Sequence, residues 1–147
     1  MDMDAYDAWA VGLRRYLTLV AQAVGVGTEA CSVHLGSPAD AYIALDTRVS
    51  VFPARDAALL WDERHGWALA VETHGGADLM VVGYLGVDLL PSPRVVADYV
   101  TRAAQGGATG QPDPPWLVSG PAAAVTRARL AEYAGHAVDV VGRKHAG

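Results

Sequence analysis

The spacing of apolar residues changes period twice along this chain. Tyr6, Trp9, Ala10, Leu13, Leu17, Val20, Ala21 and Val24 recur at steps of three and four, which puts them on one stripe of a helix. Asp2 or Asp4 is placed to cap its start and Gly25 to end it. Arg14, Arg15 and Gln22 fall on the wet side. From Ala30 to Leu85 the period drops to two. Cys31, Val33 and Leu35 alternate with Ser32 and His34, the pattern of a half-buried strand. A GSPAD turn leads into AYIALD, a short VSVF stretch ends at Pro53, ALLW and WALAVE flank DERHG, and DLMVVGYL follows HGGA. These connections are too short for helical crossovers, so the pattern predicts an antiparallel meander of four to five strands.

The helical period returns at Pro93. Ser92 is the N-cap, proline takes the first helical position, and Val96, Tyr99, Val100 and Ala103 form an inner stripe that Gly106 ends. QGGATGQPDPP is too rich in glycine and proline to be regular, so residues 105–115 read as a flexible linker. A last helix is expected from Pro121 to about Ala134, closed by Gly135, and AVDVV in the tail has the composition of a short strand. The reading is one α+β domain over residues 1–147. It has an N-terminal helix, an antiparallel meander, and two C-terminal helices packed on the sheet.

The register of one hairpin follows from its residues. Pairing Trp61 with Trp67 across DERHG sets Leu59 against Leu69 and Ala57 against Val71, so one face is wholly apolar. The two indoles then form a cross-strand pair contributing about 0.5–1 kcal/mol. Gly66 supplies the positive-φ position of the loop. Asp62, Glu63, Arg64 and His65 fall at the tip as solvated charge, where four consecutive side chains splay rather than converge. The opposite face carries Ala58, Leu60, Ala68 and Ala70, then Leu79, Val81, Gly83 and Leu85 on the next strand. It is neither polar like a solvated face nor bulky like a core. An apolar patch of this kind calls for a cover: the last helix, a second copy, or a partner.

Composition narrows the function classes. Of 147 residues, 52% are apolar and 18% charged, which supports a folded core. The net charge of −5 and the absence of a basic face argue against nucleic acid as a partner. Cys31 is the only cysteine and cannot form an internal disulfide. The opening MDMDAYDAW lacks the basic region of a signal peptide, and no apolar run approaches the ~20 residues of a membrane span. A cytoplasmic protein without membrane contact is expected. The chain has no asparagine, one lysine and one isoleucine, a usage that follows the codons of a GC-rich genome.

No phosphate-binding glycine loop, nucleophile elbow, HExxH or paired CxxC is present, and no cofactor is implied. One acid–histidine constellation can be assembled. Glu72 and His74 project from one face of a strand, and the hairpin register sets Asp56 opposite Glu72. A strand-end ion pair with Arg55 and an exposed loop histidine explain the same residues without chemistry. His34 reads as a surface residue. Cys31 lies on the buried side, with no histidine placed to activate it.

The block FPARDAALLWDERHGWALAVETHGGADLMVVGYLG, with the preceding LRRYLTLVAQAVGV, resembles a family of small actinobacterial proteins known as a domain of unknown function. The likeness runs from Leu13 to about Val100, with WDERHGWALAVE its most specific stretch. It implies no activity, cofactor or catalytic residue. The residues themselves point first to a non-catalytic binding or regulatory module. It would recognise a protein partner, or form a homodimer, through the sheet face of Ala58, Leu60, Ala68 and Ala70. The alternative is a small enzyme, metal-assisted, using Asp56, Glu72 and His74.

Overall fold

The computed structural model describes residues 5–73, 78–117 and 124–134. Helix α1 spans Ala5–Val24. Trp9, Ala10, Leu13, Leu17, Val20 and Ala21 are buried along its inner stripe, joined by Tyr16. Gly25, at φ 91°, ends the helix. The amides of Gly25 and Val26 both donate to the Ala21 carbonyl at 2.9 Å, a left-handed cap that glycine adopts without steric cost. The proposed caps Asp2 and Asp4 lie outside the described residues, as do His74, Pro121, Gly135 and the AVDVV segment.

A five-stranded sheet follows in the order β1-β2-β3-β4-β5, every neighbour antiparallel. Its strands are β1 Cys31–His34, β2 Asp40–Ala44, β3 Ala57–Asp62, β4 Gly66–Glu72 and β5 Leu79–Tyr84. The expected register holds: Trp61 faces Trp67, Leu59 faces Leu69, and Ala57 faces Val71. The loop is shorter than the five residues expected, because Asp62 pairs with Gly66. Gly66 has the positive φ the turn requires, 69°. VSVF joins no strand and forms turns instead, with the Phe52 amide donating to the Val49 carbonyl. A bulge between Leu69 and Ala70 leaves Val82 without an opposite residue and returns Val81 to the side of Ala70.

Helix α2, Pro93–Ala104, starts as the sequence predicts. Ser92 accepts the Val95 amide, and Val96, Tyr99, Val100 and Ala103 are buried. The third helix, α3, covers residues 124–134. The core joining helices to sheet contains Trp9, Leu13, Tyr16, Val96, Tyr99 and Leu130 from the helices. From the hairpin it takes Ala57, Leu59, Trp61, Trp67, Leu69 and Val71, and none of Ala58, Leu60, Ala68 or Ala70. Helix α3 therefore does not supply the cover considered for the alanine face. It packs on α1, where a side chain at Gly12 would collide with the Leu130 carbonyl, and Tyr133 packs on Tyr16 with ring centroids 4.9 Å apart.

Polar atoms in this core are matched. The Trp61 indole N–H donates to the Leu89 carbonyl at 2.7 Å. The Trp67 indole donates to the Tyr16 hydroxyl at 3.0 Å, and that hydroxyl donates to the Pro91 carbonyl at 2.5 Å. Burial pushes the Tyr16 phenol well above its ordinary range. Within residues 105–115, Gln111 exchanges two backbone hydrogen bonds with Tyr84, and the Thr109 carbonyl accepts from Tyr99 at 2.7 Å.

Candidate functional site

The hairpin tip departs from the expectation of solvated charge. Arg64 is exposed, but Glu63 is only 4% exposed. Its Oε1 accepts the Ala39 amide at 2.7 Å, while its own amide donates to the Ala39 carbonyl. Arg127 of α3 donates from Nε to Oε2 at 2.9 Å and from Nη2 to Oε1 at 2.7 Å. Its guanidinium lies over the Trp9 ring, 4.0 Å from the centroid. Burial alone would push the Glu63 carboxyl up, yet the Arg127 and Ala39 bonds outweigh it and hold the group below its ordinary value. The tip is thus a clamp joining the β1–β2 turn, the hairpin and α3. Nothing local in DERH signalled this, because the partner lies 64 residues away.

The other tip residues serve the turn and a passing strap. Asp62 Oδ1 accepts the amides of Arg64 and His65. His65 Nδ1 sits 2.8 Å from the Pro115 carbonyl, and the Leu117 amide donates to the Arg64 carbonyl. The His65 ring meets Trp116 edge-on at 4.5 Å and Tyr84 at 6.4 Å.

The acid–histidine constellation is only partly described. Asp56 and Glu72 do sit opposite one another, with the Glu72 amide donating to the Asp56 carbonyl. The Asp56 carboxylate is exposed and pairs with Arg48 at 3.1 Å, while Arg55 donates to the Glu72 carbonyl. His74 lies outside the described residues. Among the described residues no three His, Cys, Asp or Glu side chains are grouped to hold a metal ion. Cys31 is half-buried, and burial, helped by Glu29, raises its thiol above the ordinary value, the opposite of what activates a nucleophile.

Among the described residues, a half-open groove of about 310 Å³ lies on the alanine face, with room for a ligand. Leu60 and Ala68 form its floor. The register runs Tyr42, Leu60, Ala68, Tyr84 across four strands, so the two tyrosines stand as walls roughly 14 Å apart, three strand spacings. Asp40 and Asp62, themselves cross-strand partners, close one end, and Val81 lines the other side. Of the four alanine-face residues singled out from sequence, Leu60 and Ala68 line the groove. Ala58 and Ala70 lie in the neighbouring row and are buried. The tyrosines carried no signal in sequence: Tyr42 and Tyr84 are 42 residues apart and become neighbours of one floor only through the register.

A family model matches residues 16–102, a span that begins at Tyr16, includes all five strands, and runs most of the way through α2. The chain belongs to a family of unknown function, DUF6292. The DUF6292 segment contains the groove and Glu63, whereas α3 and Arg127 lie beyond it. No curated protein and no solved structure matches the chain.

Proposed function

We propose that this DUF6292 protein is a non-catalytic binding module that recognises a polypeptide through the alanine face of its sheet. The observation that carries the reading is the groove over Leu60 and Ala68. It opens on the side of the sheet away from the helical core, with its apolar floor between two tyrosines. Apolar floors bounded by aromatic walls bury area at low entropy cost, the composition of recognition surfaces. The alanines keep the sheet low there, so a strand or a side chain can approach closely.

The test compares wild-type protein with Leu60→Arg as baits in extracts of the native host, with sedimentation velocity run alongside to register a second copy. The arginine fills the groove while the tryptophan face stays untouched. The expected result is a partner, or self-association, lost in the variant while circular dichroism is unchanged. Equal recovery by both baits, with both proteins monomeric, overturns the reading.

A further inference from the structure

We infer that the groove takes the basic side chain of an extended partner segment, an arginine or lysine held between Tyr42 and Tyr84 with its charge against Asp40 and Asp62; this rests on the binding reading above. The argument starts from charge placement. Asp40 and Asp62 are directly opposite on adjacent antiparallel strands, an arrangement that disfavours like charges. Among the described residues, no lysine or arginine lines the groove. Their neighbours are weak compensation: His34 lies 3.4 Å from Asp40 with 74% of its side chain exposed, and Arg64 lies 3.7 Å from Asp62, about half exposed. Exposed pairs of this kind contribute little. An incoming cation would meet two carboxylates whose charged partners are easily displaced, while Asp62 Oδ1 keeps the Arg64 and His65 amides.

The dimensions suit an amphipathic basic side chain rather than a bare ion. Side chains two residues apart on one strand face are ~7 Å apart, so the aspartates lie that far along from the Tyr42–Leu60–Ala68–Tyr84 row. The methylene stem of arginine or lysine spans that step, laying its apolar part on Leu60 and Ala68 and its head at the carboxylates. The tyrosines, one on either flank, bound the apolar stem of the side chain, while its charge lies beyond their row at the carboxylates. The groove does not enclose its contents, since Val81 on its edge is 37% exposed and Leu79, next along the same face, is 38% exposed. An extended polypeptide uses those side chains for its neighbouring apolar residues, whereas a small amine leaves them wet.

The experiment is a selection from a random displayed octapeptide library on the wild-type protein, with counter-selection on Leu60→Arg. Peptides recovered should share one arginine or lysine flanked by apolar residues. Each should bind at least about tenfold more weakly to Asp40→Asn/Asp62→Asn, or when its basic residue becomes norleucine. Asparagine at position 62 keeps the oxygen that accepts the Arg64 and His65 amides, so the turn is preserved, and circular dichroism checks it. Groove-dependent peptides without a basic residue, or unaffected by the double variant, overturn this inference and leave the binding reading standing. Failure to recover any groove-dependent peptide overturns both. Agmatine titrated alone, followed by amide shifts of Tyr42 and Tyr84, is the arm for a small cation. Saturation by agmatine as tight as by the best peptide overturns the polypeptide assignment.

Discussion

The two faces of the β3–β4 hairpin are built from alternate residues of the same two strands and have opposite characters. On one, Trp61, Trp67, Leu59 and Leu69 are buried under the helices, with each indole N–H given a partner. On the other, Leu60 and Ala68 floor an open groove between tyrosines. A strand period of two lets one segment carry stability and recognition on separate faces. Changes on one face should therefore leave the other largely intact.

The largest test of that separation is Trp67→Ala. It removes a fully buried indole and leaves the Tyr16 hydroxyl without its indole donor, and should cost ~3–5 kcal/mol in urea unfolding. A loss below about 1 kcal/mol would mean the tryptophan face is not the stabilising one. Glu63→Ala comes next. It takes the carboxylate acceptor away from the Arg127 guanidinium and the Ala39 amide and should cost about 2 kcal/mol, although the residue sits at a turn. No change in unfolding midpoint would return the tip to mere solvated charge.

The same carboxylate predicts a pH dependence. Its folded pKa is lowered, so its contribution is present above the unfolded value of about 4.3 and is lost as pH falls through the lower folded value. Wild-type stability should fall across that acid window more steeply than that of Glu63→Gln, measured by unfolding at successive pH. Parallel curves would show that the ion pair contributes nothing. The smallest stability effect belongs to the groove: Leu60→Arg, at a half-buried residue, should cost about 1 kcal/mol or less while abolishing partner binding. A cost as large as that of Trp67→Ala would erase the distinction between the faces.

What could be read from sequence was whatever is local and periodic. The α1 stripe, the tryptophan register, the Ser92 cap and the inner stripe of α2 each follow from residues a few positions apart. Tyr16 was legible too, three residues after Leu13 and four before Val20 on the same stripe. The Glu63 clamp was not, because its stabilising partner is distant and an acidic tip reads as solvated. The seat of α3 left one trace, Gly12, a glycine inside a good helix that makes room for the Leu130 carbonyl. The groove was not legible, since its walls come from the second and fifth strands, and its acidic end joins the last residue of β3 to the first of β2.

The distribution of the four tryptophans has an optical consequence. Trp9, Trp61 and Trp67 are 3%, 1% and 0% exposed, while Trp116 is 69% exposed and rests edge-on against His65. A water-soluble collisional quencher such as iodide should reach only the last of them in the native protein. The accessible fraction of the emission then comes from a single indole, two ring contacts from the groove wall through His65 and Tyr84. The molecule carries an intrinsic fluorophore at the rim of its own groove, and occupancy there can be followed without attaching a dye.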